Sequence, residues 1–329
     1  MCIVHCELCI EVEDRIRGMQ MDQNYSMIRR IWRILYPPVI FIAVQIFVFG
    51  AVSLADGIIA VIDRAANGAD FLDIEVIIER AYIFVSERIL LILLISSLVS
   101  LIPGIPLWVR ARSYNEPHKN DRPVAICLLV VGFFAAFNII QMMLFSLTDI
   151  IRYMPTYEDV ADVMMADSLL IRILAIGIAA PIVEELVYRG ILISRMKWLP
   201  VWAAILIQAA IFGAVHMNLF QGLYAFVAGI LLGLVYVKFR SIFAVMLGHM
   251  AYNLTSVFLG EFASDAAAGL IVGLSAIVLP VCAIFLIKHK KARKLLTEKD
   301  IKYVPVYAPA DPWTEYTSMN TWKKDDNSP

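Results

Sequence analysis

Residues 123–147 read PVAICLLVVGFFAAFNIIQMMLFSL, an unbroken run without a charged side chain. The hydrocarbon core of a bilayer is about 30 Å thick, so roughly 20 mainly apolar residues are enough for a helix to cross it. This run is therefore predicted to be a transmembrane helix. The whole chain has a matching composition, because 60% of its 329 residues are hydrophobic and 17% are charged. Soluble domains are about half apolar and a quarter charged, so an ordinary soluble enzyme is excluded.

The same criterion identifies about eight membrane-spanning stretches. They cover residues 38–62, 81–109, 123–147, 169–193, 199–215, 221–237, 242–259 and 266–287. The sequence thus predicts an all-α fold, a polytopic transmembrane helix bundle. We divide it into an N-terminal segment (1–37), N-terminal transmembrane helices and loops (38–168), a core (169–257), a last transmembrane helix (258–288) and a polar tail (289–329).

Basic and acidic residues alternate from loop to loop. Lys and Arg precede the first stretch, fill the second, fourth and sixth loops and follow the last stretch, whereas the first and third loops are acidic. Because cytoplasmic loops are enriched in Lys and Arg, both termini are predicted to be cytoplasmic, in a multi-pass protein of the cell membrane. The formal net charge of −1 gives no indication of nucleic acid binding.

The fourth, fifth and seventh stretches carry polar side chains where the bilayer is expected. These residues are Glu184, Glu185, Arg189, His216, His249 and Asn253. A charged side chain at the centre of a bilayer costs about 2.5–3.5 kcal/mol on insertion scales and usually faces protein or water. We therefore treat these residues as candidates for function.

Helical spacing separates the two adjacent glutamates. Glu185 and Arg189 are four residues apart, so they share a helix face and can form an ion pair. Glu184 is rotated by about 100° from Glu185 and points elsewhere. The spacing predicts that Glu185 is structural and that Glu184 is reactive.

Two further pairs repeat the four-residue spacing, namely His249 with Asn253 and Phe212 with His216. A carboxylate, two imidazoles and an amide from three helices are predicted to meet in one cavity of the bundle. Such a set can deprotonate a water, bind a metal ion or stabilise an oxyanion. One point conflicts with this convergence: His216 lies about 25 Å along the fifth stretch, whereas Glu184 and His249 lie in the cytoplasmic halves of theirs.

Three segments, EELVYR (184–189), FGAVH (212–216) and HMAYN (249–253), resemble the motifs of the CPBP intramembrane proteases. This family comprises the type II CAAX prenyl endopeptidases and the bacterial bacteriocin-processing and immunity relatives. The resemblance covers residues 169–254 and includes the order and separation of the motifs. His-Glu-x-x-His, Gly-x-Gly-Asp and Gly-x-Ser-x-Gly, the motifs of other protease types, do not occur.

The resemblance implies a role for each matching residue. Glu184 takes the position of the catalytic glutamate and activates water with His216. His249 and Asn253 brace the oxyanion or complete a metal site. Glu185, Arg189 and Phe212 support the site. If a metal is bound, zinc held by Glu184, His216 and His249 is expected; a glutamate-type mechanism needs no cofactor.

The function implied is that of an intramembrane endopeptidase that hydrolyses a peptide bond of a membrane-associated or prenylated substrate. Its expected partners are the lipid bilayer and a peptide or lipidated protein. Two alternatives stay open at this point. The same Glu and His groups suit the proton relay of a proton-coupled transporter, and a non-catalytic bacteriocin-immunity scaffold would keep the same fold.

Overall fold

The computed structural model describes residues 7–67, 74–112, 123–148, 150–153, 162, 167–196, 198–262 and 265–289. Within these residues the chain is helical and contains no strand, which confirms the all-α prediction. Eight helices follow one another: α1 (Glu7–Ala66), α2 (Ile74–Arg112), α3 (Pro123–Thr148), α4 (residues 169–193), α5 (Val201–Ala214), α6 (Leu219–Phe239), α7 (Ile242–Phe262) and α8 (Asp265–Lys288). A short 3-10 turn, Ile150–Tyr153, follows α3.

Six segments in the described part of the chain are long and apolar enough to cross a membrane. They are Met27–Ala66, Ile78–Ala111, Pro123–Thr148, Leu219–Phe239, Ile242–Phe262 and Gly269–Lys288. Helix α5 has 14 residues and is about 21 Å long, which is short of the hydrocarbon thickness. Helix α4 is divided into short α-helical and π-helical segments, so it contains no continuous α-helix long enough to cross a membrane. The expected count of about eight spans is therefore supported for six of them.

Two of the predicted divisions fall inside helices. Helix α1 is continuous through Pro37 and Pro38, where the first span was expected to begin. Apolar residues at helical spacing, such as Ile28 and Trp32, extend the helix toward the N-terminus. The division between residues 257 and 258 lies within α7. Residues up to Lys288 form one compact unit; the predicted tail, apart from His289, lies outside the described residues.

Helix α4 alternates between two kinds of winding. An α-helical turn at Leu169–Arg172 is followed by a π-helical segment at Ile173–Ala179, an α-helical segment at Ala180–Glu185 and a second π-helical segment at Leu186–Ile193. In π-helical winding each N–H bonds to the carbonyl five residues earlier, and such segments are rare and frequent at functional sites. Glu184 and Glu185 are the last two residues of the α-helical segment that lies between the two π-helical segments.

The core of the bundle surrounds α4. Every residue of Leu186–Ile193 is buried, including Arg189. One apolar cluster joins α4 to α3, α6 and α7, and a second joins it to α1 and α5. Helix α4 is therefore packed against other helices on several sides.

Candidate active site

A hydrogen bond from α7 fills a gap in the backbone bonding of α4. Pro181 has no N–H to donate, and the N–H of Ala180 donates to the carbonyl of Ala175. The Ile176 carbonyl therefore lacks a backbone donor. Its α-helical donor, the N–H of Ala180, bonds to Ala175 instead, and its π-helical donor would be Pro181. The side-chain amide of Asn253 donates to this carbonyl instead, at 2.9 Å. The local winding of α4 therefore creates the acceptor that fixes Asn253.

Helices α4 and α7 come close together beside this bond. A Cβ atom added at Gly177 would lie 2.3 Å from Cδ2 of Leu254, a distance that real Cβ atoms do not show. Only glycine permits this approach without a shift of Leu254. The contact holds α7 so that His249, one turn before Asn253, faces the two glutamates.

His249 contacts both glutamates. Its Nδ1 lies 2.8 Å from Oε1 of Glu185, and its Nε2 lies 3.7 Å from Oε2 of Glu184. An ionised carboxylate only accepts hydrogen bonds, so a neutral His249 ring is assigned its proton on Nδ1, which donates to Glu185. The lone pair of Nε2 then faces Glu184. The 3.7 Å separation is too long for a direct hydrogen bond.

The two glutamates differ in accessibility. The side chain of Glu185 is 0% exposed, and that of Glu184 is 18% exposed. Since the two belong to one α-helical segment, the 100° rotation between neighbouring residues accounts for the difference. Glu184 is the more accessible of the two carboxylates, and its reactive role stays a prediction.

Arg189 forms the predicted ion pair with Glu185. Its Nη1 donates to Oε1 of Glu185 at 2.6 Å, and both side chains are fully buried. Its Cζ lies 4.7 Å from the centroid of the Phe212 ring. The carbonyl of Gly229 on α6 accepts from Arg189 Nη2 at 3.4 Å and from Gln208 Nε2 at 2.8 Å. Arg189 therefore links α4 to α5 and α6.

His216 lies on the turn between α5 and α6, not within a helix. Its Nδ1 is 2.8 Å from the carbonyl oxygen of Phe212, and Met217 takes a left-handed conformation with φ of 56°. Asn218 then begins α6 by accepting from the N–H of Gln221 at 3.0 Å. Because α5 ends at Ala214, His216 is carried by the turn of a helical hairpin.

The Phe212 ring connects the two imidazoles. It meets the ring of His216 edge-on at 5.0 Å and that of His249 edge-on at 5.8 Å, between ring centroids. Phe212 also packs on Arg189, so the C-terminal end of α5 lies at the depth of α4 and α7 where the glutamates are. The depth conflict seen in the sequence is thereby resolved, since α5 is short and ends beside the site.

Sequence reasoning did not identify Tyr188 or Gln208. Tyr188 is fully buried and packs its ring against Phe212 at 5.0 Å between centroids. Gln208 is also fully buried and shares the Gly229 carbonyl with Arg189. An amide within the apolar fifth stretch was a signal available for Gln208. Tyr188 carried no signal beyond its place between Glu184 and Arg189.

The zinc expectation requires Glu184, His216 and His249 to meet. In the part of the chain that the structure describes, no three His, Cys, Asp or Glu side chains are grouped so as to hold a metal ion. The Nδ1 atoms of both histidines are engaged, one with the Phe212 carbonyl and one with Glu185, which leaves the Nε2 atoms as the possible metal ligands. The three side chains do not form a ready-made ligand set in this arrangement, so we derive no step through a metal.

Residues 166–255 match the family model described as type II CAAX prenyl endopeptidase Rce1-like. The matched region contains all three motifs and supports the resemblance to the CPBP family. It extends from α4 into α7 and leaves α1 to α3 and α8 outside. No curated protein and no solved structure gives a significant match to the chain. At the level of the family, the match supports a multi-pass membrane peptidase of the CAAX type.

Proposed function

We propose that the protein is an intramembrane endopeptidase in which Glu184 activates the attacking water and His249 assists it. The observation that carries the proposal is the position of the Glu184 carboxylate, partly exposed and 3.7 Å from an imidazole nitrogen that is oriented from behind by Glu185. A water that donates one proton to Glu184 and the other to His249 Nε2 satisfies both acceptors. Oriented acceptors of this kind are what general-base catalysis needs.

The reaction proceeds by addition of water to the peptide carbonyl. Glu184 takes a proton from the water while the water oxygen bonds to the carbonyl carbon. The C–N bond then breaks as a proton passes to the leaving amine. Glu185 sets the tautomer of His249 and does not itself touch the substrate, so it is a positioning residue.

His216 and Asn253 complete the proposed machinery in the roles that the resemblance implies. A neutral His216 with its proton on Nδ1, donated to the Phe212 carbonyl, offers its Nε2 as an alternative to His249 Nε2 for the second proton of the water. Asn253 donates one amide proton to Ile176 and has a second, which can stabilise the oxyanion; His249 joins it as a donor once its Nε2 has taken a proton.

The substrate is proposed to be a membrane-associated or prenylated peptide that approaches from the cytoplasmic side. The family match on residues 166–255 supports this substrate class. The alternation of basic and acidic loops supports cytoplasmic termini. In that orientation the residue 196–200 connection is cytoplasmic, and the site lies below it in the bundle.

Cleavage in proteoliposomes tests the proposal. The purified full chain is given a synthetic peptide with a farnesylated C-terminal CAAX sequence, and product release is followed by mass spectrometry. Glu184→Gln keeps the shape but removes the base, so turnover should fall about a hundredfold or more. Glu87→Gln is the matched control, because this carboxylate is exposed and paired with Arg88 at 3.1 Å.

Each outcome decides one part of the proposal. Turnover by Glu184→Gln close to that of the wild type overturns the assignment of the base. Equal cleavage of the same peptide without its lipid overturns the requirement for a prenyl group but supports the peptidase activity. A wild-type protein that cleaves neither peptide nor any membrane-anchored variant of them overturns the function.

A further inference from the structure

Three arginines lie where the first turns of the candidate span Met27–Ala66, within α1, meet the segment that follows α4. Arg30 and Arg33 are one helical turn apart on α1, and Arg195 follows α4 by two residues. The Arg195 Nη1 donates to the backbone carbonyl of Arg33 at 2.8 Å. The bond joins the segment after α4 to the helix turn that carries Arg30 and Arg33, and we call the three arginines the basic cluster.

Aromatic rings hold two of these guanidinium groups. The Cζ of Arg195 lies 4.4 Å from the ring centroid of Tyr36, and that of Arg30 lies 5.5 Å from the ring of Trp198. Arginine is the cation suited to this stacking, because its planar group is weakly hydrated. Trp and Tyr are enriched at the depth of lipid headgroups. The cluster therefore has the composition of a membrane interface.

No carboxylate of the described residues pairs with an arginine of the basic cluster. Among the described residues, Arg80, Arg88, Arg172 and Arg189 each pair with an acidic side chain, whereas Arg30, Arg33 and Arg195 form no such pair. Burial is the largest cause that lowers the pKa of Arg195; the contact with Tyr36 opposes this shift, and the like charge of Arg33 adds to it. A bound anion would relieve this repulsion.

We infer that Arg30, Arg33 and Arg195 bind the phosphate group of an anionic membrane lipid. Guanidinium groups present a fork of donors that matches phosphate oxygens. The lipid is favoured over free phosphate because the cluster lies at the start of a candidate span, Met27–Ala66, beside the exposed apolar side chains Trp32 and Leu35. Basic groups at this position attract anionic headgroups. The inference does not depend on the proposed peptidase function.

Native mass spectrometry of the full chain tests the site by lipid titration. The purified protein in detergent receives dioleoyl-phosphatidylglycerol, with dioleoyl-phosphatidylcholine as the neutral lipid and inorganic phosphate as the source without a lipid. We expect phosphatidylglycerol to bind more tightly than phosphatidylcholine and inorganic phosphate not to displace it. Arg33→Gln should weaken phosphatidylglycerol binding about tenfold, as expected for the loss of one charged hydrogen-bonding group.

Arg88→Gln is the matched control. Arg88 also lies over an aromatic ring, that of Phe84 at 4.5 Å, but Glu87 neutralises it at 3.1 Å. Its substitution should leave lipid binding unchanged. Arg33→Gln keeps the backbone carbonyl that Arg195 binds. Arg33→Lys keeps the charge but not the forked donors, so its phosphatidylglycerol affinity should lie between those of the wild type and Arg33→Gln.

Three results overturn the inference. They are equal lipid affinity of the wild type and Arg33→Gln, equal affinity for the two lipids, and equal losses from Arg33→Gln and Arg88→Gln. Displacement of phosphatidylglycerol by inorganic phosphate would show that the arginines bind free phosphate and not a lipid headgroup. If Arg33→Gln fails to fold, Arg30→Gln is judged by the same criteria; it removes another charge of the cluster and, within the protein, the contact with Trp198.

Discussion

The buried ion pair between Glu185 and Arg189 yields a prediction that separates structure from chemistry. Arg189→Ala leaves the Glu185 carboxylate fully buried with His249 as its remaining partner. A buried charge without its counter-ion is strongly destabilising, because the cost of removing it from water is no longer offset. We therefore expect Arg189→Ala to lower the folded yield and the melting temperature.

The size of the effect follows from the contacts that are lost. Removing one partner of a buried pair costs about 3–5 kcal/mol. Loss of the stacking of Arg189 on Phe212, at 4.7 Å, adds about 1–2 kcal/mol when the cation is desolvated. The sum of roughly 4–7 kcal/mol is comparable to the whole stability of many domains.

Two further variants isolate the charge. Glu184→Gln changes a partly exposed carboxylate that has only the long contact with His249, so the free energy of unfolding should change by less than about 0.5 kcal/mol. The double variant Glu185→Gln with Arg189→Met removes both charges together and should recover part of the stability that Arg189→Ala loses.

Thermal melts in detergent and equilibrium unfolding in mixed micelles measure these differences. The expected order of stability is wild type equal to Glu184→Gln, then the double variant, then Arg189→Ala. The reasoning is refuted if Arg189→Ala melts like the wild type. If that variant is also inactive, the arginine belongs to the chemistry, and the division between a structural and a reactive glutamate is wrong.

The other predictions concern activity, metal and packing. Glu184→Gln should lose about a hundredfold in turnover while its melting temperature stays that of the wild type. If Glu184, His216 and His249 hold zinc, the purified protein should contain about one zinc per chain, and a chelator should abolish activity reversibly; full activity of metal-free protein would favour the glutamate mechanism. Gly213→Ala should destabilise by about 1–3 kcal/mol, because its Cβ would lie 2.6 Å from the backbone carbonyl oxygen of Gly222. Gly177→Ala should cost less in equilibrium unfolding, because its Cβ meets the end of the Leu254 side chain, which can turn away.

The positions of the helices follow from the sequence because bilayer thickness sets the length of each apolar run. The same pattern does not distinguish a helix that crosses the membrane from one that ends inside the bundle. The fifth stretch, predicted at residues 199–215, is the 14-residue helix α5. The predicted bounds already put His216 just after this stretch, but an apolar run gives no indication that the following turn lies beside α4 and α7, as the contacts of Phe212 show.

Within the site, local relationships were predictable and distant ones were not. The Glu185–Arg189 pair follows from a four-residue spacing. The bond between Glu185 and His249 joins residues 64 positions apart, and no periodicity reports it. The resemblance placed the motifs in one site but did not indicate which glutamate each imidazole nitrogen faces. The π-helical winding of α4 was also not predictable, because the apolar pattern of a sequence is interpreted with the 3.6-residue period of the α-helix.

The shared oxygen of Glu185 explains why charged residues stand in an apolar core. Oε1 of Glu185 accepts from both Arg189 and His249. Since a well-packed apolar pair is often as stable as a buried ion pair, stability alone does not account for the charges. Their effect is to hold the His249 ring in one orientation and tautomer, with Nε2 toward Glu184. The double variant Glu185→Gln with Arg189→Met should therefore regain folding but not turnover, since the neutral amide of residue 185 holds the imidazole less firmly than a carboxylate does.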